Sequence, residues 1–169
     1  VEVLQSILPT VKSVLAIPGT DATSLSIVLA AQAIPLILVL PFGGVIADRL
    51  GRARVIAVSD TVLGVVVMAI AVLFLTDNAT VLSLAILGSI AGCLNGLWWP
   101  AYAGMVPDAV EDEFLQPANA YLSIASNGGL ILGSALGGVL VALFGPGVAV
   151  AIDSLSFLVS AWLIFTIRH

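Results

Sequence analysis

The sequence predicts an all-α membrane protein: five spanning helices, preceded by the remnant of a first span. Three observations carry that reading. Of the 169 residues, 60% are apolar and 9% charged, against roughly 25% charged in an ordinary soluble domain. The charges fall in short clusters separated by long charge-free intervals. The alternating segments of ~10 residues that mark membrane β-barrels are missing.

The same composition narrows function. Five Lys+Arg and ten Asp+Glu cannot supply the polar skin of a soluble fold, and the mean hydropathy is +1.21. The apolar excess excludes disorder, and a net charge of -5 argues against nucleic acid as a partner. One cysteine, Cys93, and one histidine, His169, leave no material for a disulfide framework, a metal centre or a catalytic triad. No catalytic residue, metal site or cofactor is expected, and the lipid bilayer is the first partner.

The spans follow from where charge is missing. No charge lies between Asp21 and Asp48, between Asp77 and Asp108, or between Glu113 and Asp153. Each interval exceeds the ~20 residues a helix needs to cross the hydrocarbon. Gly145-Pro146-Gly147 divides the longest by breaking a helix. A further apolar stretch follows the arginines and carries one acid, Asp60. The expected helices are therefore 24–44, 55–75, 81–102, 119–144 and 148–167. Residues 1–23 contain Glu2, Pro9 and Lys12 and close on the turn Pro18-Gly19-Thr20-Asp21. They lack the basic leader and cleavage site of a signal peptide, and read as the end of a first span plus an external loop.

Orientation comes from Arg49, Arg52 and Arg54, which share the link 45–54. The positive-inside rule places that link in the cytoplasm. Alternation then puts 76–80 and 145–147 outside, and 103–118 and 168–169 inside.

A shift of 94 positions aligns Gly43-Gly44-Val45-Ile46 with Gly137-Gly138-Val139-Leu140, and Leu36-Ile37-Leu38 with Leu130-Ile131-Leu132. Gly51 meets Gly145 and, after a one-residue deletion, Asp60-Thr61-Val62 meets Asp153-Ser154-Leu155. The first two spans are thus related to the last two, and the helix 81–102 opens the second unit. Three spans per unit is an odd number, so the units insert with opposite orientations. Such inverted repeats mark secondary transporters.

The link Gly43-Gly44-Val45-Ile46-Ala47-Asp48-Arg49-Leu50-Gly51-Arg52-Ala53-Arg54 resembles the motif between the second and third helices of the major facilitator superfamily. Gly129-Leu130-Ile131-Leu132-Gly133-Ser134-Ala135-Leu136-Gly137-Gly138 is similar to that family's exporter motif on its fifth helix, with Ser134 where the motif has proline. The segments 100–120 and Asp153-Ser154-Leu155-Ser156-Phe157 resemble the branch with macrolide and siderophore exporters. The arginine usual on the family's fourth helix has no counterpart in 81–102. The resemblance implies half of a major facilitator fold, with an inverted three-plus-three repeat. Residues 1–23 would then hold the first-span remnant, 24–75 the second and third spans, and 76–169 the fourth to sixth.

The resemblance assigns Gly44, Asp48, Arg49, Gly51, Arg52 and Arg54 to a cytoplasmic latch that stabilises the outward-facing state. Physically, Gly44 permits close helix approach, Gly51 a turn with positive φ, and Asp48 a cap on a helix N-terminus. Arg52 and Arg54 are positioned to pair with Asp48 or with a second half. Gly88, Gly92 and Gly96 recur on one face of one helix and Gly129, Gly133 and Gly137 on one face of another, with Gly138 as a further packing glycine. Such faces let helices pack closely in lipid. The intramembrane acids Asp60 and Asp153 are candidates for proton relay or for hydrogen bonds between helices. Gln32, Asn95 and Asn127 are candidate cavity linings. Trp98 and Trp99 are expected as interfacial anchors.

The expected function is proton-coupled efflux of small amphipathic compounds across the cell membrane by alternating access. It would be completed by a missing C-terminal half or a second copy. The competing reading is a truncated or regulatory membrane scaffold without transport of its own, in which Asp48 and Arg52 would be dispensable.

Overall fold

Every charge-free interval forms a helix, and most of the helices outrun the intervals that predict them. The computed structural model describes residues 22–167. The helices are α1 (Ala22–Leu50), α2 (Arg52–Leu75), α3 (Val81–Ala109), α4 (Leu115–Phe144) and α5 (Pro146–Ile167). A single 3-10 turn, Asp112–Phe114, precedes α4. All five are long and apolar enough to cross a membrane, and no strand occurs among the described residues. The expectations for residues 1–21 lie outside the described residues.

The extra length changes the links. At 29 residues, α1 is about 44 Å long, well beyond ~30 Å of hydrocarbon. Asp48 and Arg49 therefore belong to the last turns of α1, and the expected link 45–54 shrinks to Gly51. Likewise α3 continues through Pro100 and Pro107 to Ala109, so most of the expected inner link is helical. Pro35 and Pro41 are carried inside α1. Prolines are tolerated in such bundles because neighbouring groups re-satisfy the freed backbone.

Local chemistry ends the helices where the chain must turn. Gly51 has φ 91 and Gly145 has φ 83, conformations that a β-carbon disfavours. After α2, Asp77 takes φ 54; its N–H bonds to the Phe74 carbonyl at 3.3 Å, and that of Asn78 to Leu73 at 3.0 Å. This is a Schellman closure with aspartate at the left-handed position. Thr80 then caps α3: its hydroxyl accepts from the Ser83 N–H at 3.2 Å, and its own N–H donates to the Ser83 hydroxyl at 3.1 Å.

Two pairings dominate the packing, α1 against α3 and α2 against α5, with α3 also resting on α2. The α1–α3 seam runs on glycine. A β-carbon at Gly92 would strike the Gln32 carbonyl oxygen, and one at Gly96 would lie 3.0 Å from that of Leu36. One at Gly43 would strike the Gly96 carbonyl. Buried apolar clusters sit at three depths. Near the arginine link are Ala47, Val55, Ile56 and Ala101; midway are Leu63, Val66 and Ala91; at the far end are Val28 and Leu84. Many large apolar side chains face outward instead, Leu38 at 65% exposure and Ile131 at 67%. That distribution suits a chain whose solvent is lipid. No residue of α4 is buried among the described residues.

Candidate functional site

The densest polar arrangement is at the end of the bundle that holds the arginines. Gly51 turns the chain so that the first residue of α2, Arg52, faces back toward α1. Its Nε and Nη2 donate to Asp48 Oδ1 at 3.2 and 3.0 Å. Its Nη1 donates to the backbone carbonyl of Gly104, near the end of α3. One guanidinium therefore ties α1, α2 and α3 together.

Gly104 makes that possible by what it lacks. A β-carbon there would lie 2.6 Å from both Nε and Nη1 of Arg52. The sequence reading did not single this glycine out. Its signal was register: Gly104 lies eight residues past Gly96, and Pro100 holds the intervening ladder position. Pro100 also continues the seam, its ring lying 3.0 Å from a β-carbon built on Gly43 and 3.9 Å from one on Gly44.

Other members of the cluster behave differently from expectation. Asp48 does not cap α2: Gly51 holds the N-cap position without a side-chain bond. The carboxylate pairs with Arg52 instead, because helical continuation of α1 carries Asp48 one turn before the cap. Arg49 and Arg54 are exposed, and among the described residues the Asp48 ion pair is made to Arg52.

The two acids Asp60 and Asp153 have unlike surroundings. Asp60 is 3% exposed and accepts a 2.6 Å hydrogen bond from Ser160 of α5. Trp98 of α3 brings its indole toward the same carboxylate without closing a bond of good geometry, which leaves a buried N–H unpaired. Asp153 lies on an exposed face of α5. Close by, Ser154 is fully buried and donates to the Gly64 carbonyl at 2.8 Å. Position on the α2–α5 seam, rather than residue type, separates the two acids.

Trp98 is packed between helices. It packs against the buried cluster near the arginine link, stacked on Tyr102 with ring centres 4.8 Å apart and an interplanar angle of 9°. Trp99 meets it edge-on at 5.4 Å.

The glycine ladders also divide. Gly88, Gly92 and Gly96 face α1, while β-carbons at Gly129, Gly133, Gly137 and Gly138 would meet nothing within 4 Å. Two of the cavity candidates bond within their own helices. Asn95 returns its amide to the Ala91 carbonyl at 2.8 Å, and Asn127 to Ser123 at 2.7 Å. Gln32 lies on the α1–α3 seam, its β-carbon 3.8 Å from one built on Gly88. Among the described residues no group of three His, Cys, Asp or Glu could hold a metal ion.

Comparison with known proteins matches this chain to a family. The model of the Major Facilitator Superfamily matches residues 3–169. An MFS-type transporter of Bacillus subtilis (strain 168), YfiS, is 28% identical over 141 residues, covering 83% of this chain and 33% of that protein. Quinolone resistance protein NorA of Staphylococcus aureus (strain MRSA252) is 30% identical over 120 residues, 71% of this chain and 30% of its own length. NorA of strain Mu50 matches to the same extent. The chain spans about a third of the length of these relatives.

Proposed function

The chain belongs to the Major Facilitator Superfamily, and from that membership we propose that it works as the N-terminal half of an exporter of small amphipathic molecules. It is a multi-pass cell-membrane protein with five apolar spans among the described residues, and its relatives include an MFS-type transporter and a quinolone resistance protein. The proposed mechanism is alternating access, with substrate held near the bilayer midplane between this half and a second. Proton coupling is part of the proposal.

The observation that carries this reading is the bridge from Arg52 to both Asp48 and Gly104. A carrier needs an arrangement that favours one of its two states without freezing it, and a difference of a few kcal/mol does that. Asp48 and Arg52 alone form an exposed pair one turn apart, worth about 0.3–0.5 kcal/mol. The bond from a charged guanidinium to the Gly104 carbonyl spans two helices and is part-buried, and bonds of that kind contribute about 1.5–3 kcal/mol. Of these two contacts the bond to the Gly104 carbonyl is therefore the stronger, and Asp48 helps to aim the guanidinium.

The reading is tested with the full-length product of the gene in energised membrane vesicles, following a lipophilic fluorescent cation. Export that falls in Arg52→Ala, at equal membrane insertion, supports it. Export unchanged by Arg52→Ala favours the scaffold reading, in which the cluster serves only topology.

A further inference from the structure

Above the latch, in the hydrocarbon part of the bundle, Asp60 meets two other helices. It lies eight residues past Arg52 on α2, about 12 Å along the axis. Its carboxylate takes the Ser160 hydroxyl from α5 and faces the Trp98 indole from α3. Below it, Trp98 and Tyr102 of α3 and Ile164 of α5 pack against one buried cluster with Val55, Ile56, Ala47 and Ala101. Ile164 stands one turn beyond Ser160, and Tyr102 two residues before Gly104. A continuous packed column thus runs from Asp60 to the carbonyl that holds Arg52.

A buried carboxylate is costly unless hydrogen-bonded, and an intramembrane acid is seldom retained without use. Here the bond joins α2 to α5 on the same face that carries α3. We propose that Asp60 is a positioning residue for the latch. By fixing α2 on α5 through Ser160, it seats the Trp98–Tyr102 stack and so holds Gly104 within reach of Arg52. Coupling of this kind requires contiguous packed contacts with a measurable energy between the ends. The proposal rests on the latch reading, and the two fail separately.

The test uses the full chain in vesicles, with Cys93→Ser and a single reporter thiol from Ala103→Cys beside Gly104. A membrane-impermeant maleimide is added on the side of the arginine link. Arg52→Ala raises the labelling rate. Asp60→Ala and Ser160→Ala each raise it about three- to tenfold, the scale of one intramolecular hydrogen bond. Neither adds anything once Arg52 is alanine. Ser154→Ala, which cuts a different α2–α5 bond, leaves the rate unchanged. Should Asp60→Ala fail to insert, Ser160→Ala carries the test. Normal labelling in Ser160→Ala, or an increment that persists in the Arg52→Ala background, overturns the positioning role while leaving the latch standing. No rise in Arg52→Ala itself overturns the latch reading and this proposal together.

Discussion

The guanidinium of Arg52 occupies the space where any residue but glycine at position 104 would place its β-carbon. Contact and vacancy are the same feature, so the two positions constrain each other. The arginine is useful because the glycine is bare, and the glycine is required because the arginine is there.

Gly104→Ala should therefore mimic loss of Arg52. The atoms it would strike belong to the end of a flexible side chain, so the arginine swings away and the fold survives. We expect the melting temperature in detergent to change little while export falls to the level of Arg52→Ala. A large drop in thermal stability would instead mean that the helix end cannot accommodate the methyl group.

Arg52→Lys should fail almost as fully as Arg52→Ala. A lysine ammonium is a point charge, without the planar fork that addresses Asp48 with two nitrogens and Gly104 with a third. Export close to wild type in the lysine variant would show that charge alone is enough.

Gly92→Ala and Gly88→Ala should differ sharply despite equal chemistry. At 92 the new methyl meets the backbone oxygen of Gln32, which cannot move aside; at 88 it finds its neighbour at an ordinary 3.8 Å. The expected cost is about 1–3 kcal/mol or more at 92, by the usual scale for overpacking, and under about 0.5 kcal/mol at 88. Reversible unfolding in mixed micelles measures both.

Ser154→Ala removes a buried hydroxyl from the α2–α5 seam. Hydrogen bonds between membrane helices average about 0.6 kcal/mol, so the loss should be of that size, measured in the same micelles. The receiving carbonyl of Gly64 lies within α2, which keeps the loss small.

Topology is checked by thiol placement in a Cys93→Ser chain. A cysteine at Asn78 should react with an impermeant reagent only from outside, and one at Arg54 only from inside. Reaction of both from one side would contradict a membrane crossing by α2.

Legibility followed the range of each interaction. The five spans could be read because hydrocarbon rejects charge residue by residue, and the intervals from Asp21 to Asp48 and from Asp77 to Asp108 are visible without a partner. Their ends were less legible. A helix runs past the hydrocarbon for as long as its backbone is satisfied, and Asp48 and Arg49 are polar enough to occupy that overhang.

By itself, then, the sequence determined the all-α membrane class, the spans, the turns at Gly51 and Gly145, and the basic motif with its family resemblance. All are local properties of charge, hydropathy and backbone freedom. Tertiary structure decided which glycine ladder meets a neighbour, which acid is buried, and that Gly104 receives Arg52. Those outcomes depend on which faces of separate helices come together. Two residues with identical side chains, Asp60 and Asp153, end in unlike surroundings because only one of them points into a seam.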